Sequence, residues 1–228
     1  MKLLAIDTST EACSAALYIN GIITERYELA PREHTKLILP MIDSLMVEAK
    51  IRAQDLDALA FGRGPGSFTS VRIATGIIQG IAFAADLPIV PVSTLAAIAQ
   101  NSFENTENDC IFTAVDARMN EIYWAVYQRN SENIAELSGQ ESVGPVANID
   151  CLGLKGFGIG SGWKIYKAEL NAKLGDFISD CDPNYLPKAS VIARLGVYGF
   201  NKNQAVPVEQ AMPVYLRNKV AKKESERI

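Results

Sequence analysis

Short apolar runs and segments of helical periodicity follow one another at the start of the chain. Residues 3–7 (LLAID), 12–21 (ACSAALYING) and 22–28 (IITERYE) are the first three runs, and each predicts a β-strand. Asn20 and Gly21 are a hairpin-turn signal between the second and third runs. Residues 34–50 then take up apolar positions at helical spacing. The pattern therefore predicts three strands followed by a helix.

The pattern continues with strands and helices in alternation. The long helix predicted next stops before Pro88, which cannot continue a helix. A polar stretch at 104–110 (ENTENDC) then marks a boundary, and we predict an N-terminal lobe of residues 1–105 and a C-terminal lobe of residues 106–228. The elements predicted before the boundary are a buried strand at 56–62, a helix at 68–86, a strand at 88–93 and a short helix at 94–102.

An internal repeat relates the two predicted lobes. Residues 5–7 (AID) recur as 114–116 (AVD), and residues 16–18 (ALY) recur as 125–127 (AVY), both at an offset of 109 residues. Each copy reads as a strand, a turn led by aspartate, and a second strand. Residues 156–175 also repeat the order of strand, glycine loop and helix found in the first half. We therefore predict that the chain contains a duplicated unit.

A duplicated βββαβα unit with an aspartate at each first turn resembles the superfamily of actin, sugar kinases and heat-shock ATPases. The resemblance implies an α/β protein with a two-lobed actin-like ATPase (ribonuclease H-like) fold and a smaller, degenerate second lobe. It also implies that the tail from about residue 212 packs back on the first lobe. In that superfamily the two aspartate-bearing loops face each other across a cleft.

Asp7 and Asp116 lead these two turns and are open to two interpretations. Turns of this kind offer backbone N–H groups to phosphates, while the carboxylate holds a hydrated magnesium ion. The chain would then be a small-metabolite kinase or ATPase using both aspartates. Aspartate also caps turns through hydrogen bonds from its side chain to the backbone, with no ligand involved.

Composition narrows the classes of function. The net charge of -4 leaves no broad cationic surface, so any role on RNA needs a partner. The four cysteines are scattered without a Cys-x-x-Cys pair, which is typical of reduced thiols in a cytoplasmic protein. The first apolar run is too short for a signal peptide, and no segment approaches the length of a membrane span. We expect a cytoplasmic protein without a membrane anchor.

Residues 61–72 (FGRGPGSFTSVR) form a glycine-rich loop before the long helix. The loop lacks the lysine of a phosphate-binding P-loop. A peptidase would need Ser67 as nucleophile, with His34 as the one imidazole base in the sequence. The remaining interpretation is a tight corner between strand and helix, with Ser67 or Thr69 capping the helix. Arg63 is a candidate for meeting an anion at the helix start.

Two helices carry more apolar and small side chains than one buried face needs. The second has glycine or alanine at every fourth position, which lets another helix approach closely. The alternative is that the sheet and the lobe contacts cover all of this surface. The candidate partner-interface residues are Leu37, Met41 and Leu45 on the first helix, and Ile73, Gly76, Ile77, Gly80, Ile81 and Ala84 on the second.

Three motifs resemble the TsaB family of tRNA threonylcarbamoyladenosine biosynthesis proteins. They are residues 3–10 (LLAIDTST), 62–83 (GRGPGSFTSVRIATGIIQGIAF) and 212–223 (MPVYLRNKVAKK), and the resemblance covers nearly the whole chain. Ser70 departs from the glycine expected there. The resemblance implies a non-catalytic scaffold that activates a TsaD-type catalytic paralogue, the enzyme that transfers threonylcarbamoyl to an anticodon-loop adenosine of tRNA.

The same resemblance implies which partners the chain has, and that it has no catalytic, cofactor or metal site of its own. The two helices pair with the TsaD-type subunit and self-pair into a homodimer when alone, a TsaE-type ATPase joins the complex, and tRNA is met only through the complex. ATP is used by the assembly, and the chain has no cofactor or catalytic residue of its own. The paralogue holds its metal through a His-x-x-x-His pair, whereas here His34 is followed by Ile38, so no metal is expected.

The C-terminal tail is basic and has two interpretations. Its cations would touch tRNA phosphates in the assembled complex, or they would belong to a solvated, frayed terminus. The residues concerned are Arg217, Lys219, Lys222, Lys223 and Arg227.

Overall fold

The computed structural model describes residues 1–217 and contains two five-stranded sheets. The ten strands divide evenly between them, five from each half of the described chain. The strands are β1 Lys2–Asp7, β2 Ala12–Ile19, β3 Ile22–Leu29, β4 Ala58–Gly62, β5 Ile89–Val92, β6 Cys110–Arg118, β7 Glu121–Arg129, β8 Ala135–Gly144, β9 Gly156–Ile159 and β10 Ile178–Asp182. The helices are α1 His34–Ala49, α2 Phe68–Ala85, α3 Thr94–Asn105, α4 Gly162–Ile165, α5 Lys167–Leu174 and α6 Ala189–Asn201.

The two sheets have the same topology. The strand order is β3-β2-β1-β4-β5 in the first sheet and β8-β7-β6-β9-β10 in the second. In each sheet three antiparallel strands precede two parallel ones. The predicted actin-like fold with a duplicated βββαβα unit is confirmed. The tail beyond residue 217, including Lys219, Lys222, Lys223 and Arg227, lies outside the described residues.

The second copy has lost part of the unit. The connection from β8 to β9 contains a 3-10 turn at Val146–Asn148, where the first copy has the 16-residue α1. The counterpart of α2 is divided into α4 and α5. The outer face of the second sheet is therefore covered by short helices.

The two copies exchange their last helices. On the outer face of the first sheet lie α1 and α2, whereas its inner face is covered by α6 from the second copy. In return, α3 from the first copy packs on the inner face of the second sheet. The outer face of the second sheet packs against α4 and α5. The two sheets therefore enclose a central layer made by α3 and α6, which also contact each other.

Small side chains bring α6 close to the first sheet. Ala5, Ala16, Ala58 and Ala60 line the inner face of this sheet, and all are fully buried. Gly196 of α6 lies directly over this surface, because a methyl group there would come within 2.7 Å of the Ala60 Cβ atom. Larger side chains at these alanines of the sheet, or at Gly196 of α6, would force the helix away from the sheet.

One expectation from the sequence was wrong. At 18 residues and a mean hydropathy of 1.3, α2 meets the length and composition of a membrane-crossing helix, although we expected no segment long and apolar enough for a membrane span. One such helix is weak support for a membrane span, because core helices of soluble proteins pass the same test. Here one face of α2 is buried against the first sheet.

A pair of glycine-to-alanine variants tests the packing of α6. We expect Gly196→Ala to lower the free energy of unfolding by about 1–2 kcal/mol, because its methyl group overpacks against Ala60. Gly80→Ala is the matched control, since a methyl group at this helical position meets no atom of the described part of the chain within 4 Å. It should instead raise stability by about 0.5–1 kcal/mol, through helix propensity. Urea denaturation measures both changes, and equal gains in the two variants would contradict close packing at Gly196.

Candidate functional site

An open cleft of about 1250 Å³ separates the two lobes. The turn after β1 and the glycine-rich loop line it from the first lobe, and the turn at the end of β6 and the end of α4 line it from the second. Ser9 and Thr10 of the first aspartate turn therefore face the same space as Asp116 and Arg118 of the second. The last described segment, with Val214, contributes to the wall as well.

Asp7 is fully buried and is not among the residues that line the cleft. Its Oδ1 atom accepts hydrogen bonds from the Ser9 backbone N–H at 3.0 Å and from the Ser9 hydroxyl at 2.9 Å. Burial raises the pKa of this carboxyl from 3.8 to about 6, although the bonds from Ser9 act in the opposite direction. The Asp7 carboxyl is therefore inaccessible to solvent, and its hydrogen bonds from Ser9 stabilise the turn that it begins.

Asp116 makes the same local bond in a more open setting. Its Oδ1 atom accepts from the Arg118 backbone N–H at 2.9 Å, and its Oδ2 atom lies 3.1 Å from the Arg118 guanidinium. Both aspartates therefore accept a hydrogen bond from the backbone two residues ahead, the geometry of a capped turn. The difference between them is that Asp116 reaches the cleft wall, with its charge matched by Arg118.

The glycine-rich loop packs against the first aspartate turn. A methyl group at Gly62 would lie 1.8 Å from the Asp7 Oδ2 atom, and one at Gly66 would lie 2.4 Å from the Ser9 carbonyl oxygen. The Ser67 N–H donates to that carbonyl at 2.9 Å. Ser67 precedes α2, but its side chain caps none of the helix N–H groups, and Thr69 lies within the helix, so the predicted cap by Ser67 or Thr69 was wrong. The glycines are needed for this close approach of backbone to turn.

Arg63 points away from the cleft and into a contact between the lobes. Its guanidinium lies 3.4 Å from Glu141 of β8. Glu141 also accepts from the Tyr127 hydroxyl at 2.9 Å and bonds to Ser93, which caps α3. The three candidate ligand residues, Asp7, Asp116 and Arg63, therefore do not converge on one point. Arg63, directly after β4, therefore links the first lobe to the second through its ion pair with Glu141.

His34 begins α1 and is held by the backbone. Its Nε2 atom lies 2.9 Å from the Thr10 carbonyl oxygen, and the imidazole is buried. Ile38, one turn later, is also buried. Within residues 1–217, no three His, Cys, Asp or Glu side chains are grouped in a way that could hold a metal ion.

The candidate interface residues of α1 and α2 differ in exposure. Leu45 is only 1% exposed and lies in the core, so its assignment to a surface is wrong for this structure. Gly76, Gly80 and Ala84 are exposed, and methyl groups at both glycines would meet no atom of residues 1–217 within 4 Å. The half-buried members, which also pack on the core of the first lobe, are Leu37, Met41, Ile73, Ile77 and Ile81.

Large apolar side chains that sequence reasoning missed are also exposed on these two helices. Phe83 is 81% exposed, and Leu39 and Val47 of α1 are exposed too. Phe83 follows Gly80 by three residues, which places it on the same face of α2. That spacing was the available signal in the sequence. We call Gly76, Gly80 and Phe83 the outer face of α2.

Comparisons with known proteins identify the family. The tRNA threonylcarbamoyladenosine biosynthesis protein TsaB of Escherichia coli strain K12 is 41% identical over 225 residues, covering 97% of this chain and 96% of that protein. The chain belongs to the TsaB family. TsaB of Haemophilus influenzae is 40% identical over 96% of this chain, and YeaZ from Pseudomonas aeruginosa superposes with a TM-score of 0.87 at 40% identity, covering 94% of this chain and 99% of that one.

The TsaB family is similar in sequence to a family of transferases. A profile described as TsaD, tRNA N6-adenosine threonylcarbamoyltransferase, matches residues 19–223 of this chain. The transferase of that name from Chlorobium phaeobacteroides is 35% identical over 112 residues, which cover 42% of this chain and 32% of the transferase. The family indicated by the sequence motifs is confirmed. TsaB-type and TsaD-type proteins are thus related by sequence.

The raised pKa of Asp7 predicts an unusual dependence of stability on pH. Its folded pKa of about 6 exceeds the unfolded value of 3.8, so between these values the folded state binds more protons than the unfolded state. The stabilising contribution of this proton is complete below about pH 4 and is lost as the pH rises through 6.

We therefore expect Asp7→Asn to raise the free energy of unfolding at pH 7.5 by about 1–3 kcal/mol. The advantage should vanish below about pH 4, where the wild-type side chain is itself neutral. Urea denaturation at pH 4 and 7.5 tests this, with Asp116→Asn as control because Arg118 already compensates that charge. A variant that is less stable than wild type at pH 7.5 would refute the prediction.

Proposed function

We propose that this protein is the non-catalytic scaffold of a complex that makes threonylcarbamoyladenosine in tRNA. In this proposal it activates a TsaD-type catalytic subunit by pairing with it through α1 and α2. The observation that carries the proposal is the outer face of α2, which combines glycines and an exposed phenylalanine in a member of the TsaB family.

The glycines of α2 support a helix partner. A glycine inside a helix costs about 0.5–1 kcal/mol relative to alanine, and none of the residues 1–217 approaches Gly76 or Gly80 closely enough to require one. A partner helix does require small residues, because they let two helix backbones approach closely. Phe83 and the half-buried Ile77 beside them supply apolar surface for the same contact.

The cleft supports the non-catalytic half of the proposal. Asp7 is sealed from the cleft, Asp116 is paired with Arg118, and His34 is bonded to the backbone. A magnesium nucleotide would need carboxylates free to meet the ion or its waters. We therefore propose that this subunit has no cofactor of its own, and that ATP is used by the assembled complex.

The remaining partners follow from the same proposal. A TsaE-type ATPase would join the pair, tRNA would be met through the complex, and a homodimer would form through the same face when the chain is alone. A docking face on the outside of α2 also accounts for the apolar composition of this helix without a membrane. We accordingly propose a cytoplasmic protein.

A reconstituted modification reaction tests the function directly. With TsaD-type and TsaE-type proteins, the enzyme that supplies the threonylcarbamoyl group, ATP and tRNA, we expect threonylcarbamoyladenosine to form only when this chain is added. The chain alone should be inert, and Asp7→Asn should retain full activity.

The same preparations test the two alternative functions. If the isolated chain binds ATP in a magnesium-dependent way and Asp7→Asn abolishes that binding, the kinase or ATPase alternative gains support. Peptide turnover that depends on Ser67 or His34 would support the peptidase alternative.

A bulky residue at Gly80 tests the docking face. We expect Gly80→Trp to weaken pairing with the TsaD-type subunit by about 10-fold or more, since the indole holds the helices apart. The fold should tolerate it, because the position is open. Ala172→Trp, at an exposed position of α5, is the matched control. Native mass spectrometry and titration calorimetry measure the pairing, and unchanged affinity in Gly80→Trp would reject this face as the interface.

A further inference from the structure

The last described segment, residues 211–217, runs from the first lobe to the second along the cleft. On the first lobe it is anchored to α2 and to the glycine-rich loop. The Gln79 side-chain amide donates to the Ala211 carbonyl oxygen at 3.0 Å, and the Val214 N–H donates to the Arg63 carbonyl oxygen at 2.8 Å. Ala211 is itself fully buried in the core of the first lobe. This end of the segment is therefore part of the folded lobe.

Tyr215 is held by a cation and an aromatic ring of α2. The Arg72 side chain donates to the Tyr215 hydroxyl at 2.8 Å, and its guanidinium lies 3.6 Å from the centroid of the Phe68 ring. The rings of Phe68 and Tyr215 are 5.6 Å apart. A guanidinium stacked on one ring and bonded to the other fixes the segment up to the edge of the cleft.

At the second lobe the attachment depends on the next cation. The Arg217 Nε atom donates to the Glu121 Oε2 atom at 3.1 Å, and the same guanidinium donates to the Arg118 carbonyl oxygen at 3.4 Å. The side chains of Arg217 and Glu121 are 19% and 33% exposed. A partly solvated ion pair of this kind is weak and is screened by salt.

The hairpin turn that receives Arg217 is strained. Arg118, Met119 and Asn120 have φ angles of 62°, 60° and 60°, three consecutive left-handed residues without a glycine. Such a conformation persists only where surrounding contacts impose it. The contacts here are the pairing of Arg118 with Glu121 across the hairpin, the bonds that Asp116 accepts from Arg118, and those that Arg217 donates. Loss of the Arg217 contacts would therefore favour relaxation of the turn.

We propose that residues 211–217 form a clasp that opens and closes on the second lobe at the Arg217–Glu121 pair and so sets access to the cleft. One end of the clasp is fixed by buried and stacked contacts, and the other is a weak latch on a strained turn. Val214, Tyr215 and Arg217 line the cleft, so opening the latch moves part of its wall. This inference does not depend on the proposed pairing with a TsaD-type subunit.

Hydrogen exchange of the full chain tests the clasp. In Arg217→Ala we expect amides of residues 116–122 to exchange about 2- to 5-fold faster than in the wild type, the factor that corresponds to losing one partly solvated ion pair. Glu121→Gln should act in the same direction by a smaller factor, because the bond from Arg217 to the Arg118 carbonyl oxygen remains. The Arg217→Ala/Glu121→Gln double variant should add nothing further, because both changes open one latch. In 0.5 M NaCl the exchange rates of these amides in the wild type should rise toward those of the variants, since salt screens the ion pair.

Two readouts separate the clasp from a general loss of stability. Exchange of β1 and β2 amides should be unchanged in Arg217→Ala. Lys202→Ala is the matched control, because it removes another exposed ion pair, with Glu132, that joins α6 to the β7–β8 turn. It should leave residues 116–122 protected. Unchanged exchange of these residues in Arg217→Ala, or additive effects in the double variant, would overturn the proposal.

Discussion

The close packing of α6 on the alanine-lined face of the first sheet is the contact on which the rest of the structure depends. Because α6 comes from the second copy of the repeat, the first sheet is not covered on its inner face until most of the chain has folded. The reciprocal position of α3 on the second sheet has the same consequence. The two copies therefore fold as one unit, and the cleft lies between lobes that share their central layer.

The exchange also determines where the end of the chain runs. After α6 the backbone pairs with the outer edge of the first sheet, where Val206 and Ile89 exchange hydrogen bonds at 2.8 Å and 2.9 Å. This pairing covers an edge strand that would otherwise be open to another chain. From there the segment continues past α2 to the cleft.

Much of the first lobe could be predicted from the sequence, because local patterns determine it. The apolar runs, the Asn20-Gly21 turn and the helical spacing of α1 and α2 each act over a few residues, and the predicted elements agree with the observed ones to within a few residues. The 109-residue repeat correctly indicated a duplicated fold. In the first copy Ala5 pairs with Ala16, whereas in the second Ala114 pairs with Trp124, so the strand register differs by one residue.

Features that depend on long-range packing could not be predicted in this way. The spacing of α1 does not distinguish the buried Leu45 from a surface residue, since that depends on where β2 lies. Likewise, nothing local indicates that Gly62 leaves room for the carboxylate of Asp7, or that Arg63 turns toward Glu141. The site residues chosen from the sequence were therefore less accurate than the fold.

Two features of the first lobe lower its stability, and they differ in whether a ligand or partner can reach them. A buried carboxylate without a cation and glycines inside a helix both lower stability, and such exceptions are expected at functional sites. Asp7 is closed off by its own turn and by Gly62, so a ligand cannot reach it in this conformation. Gly76 and Gly80 face open space on a helix whose opposite side is fixed to the sheet. The exposed glycines are therefore the exception that a partner can use directly, whereas Asp7 would first require the glycine-rich loop to move.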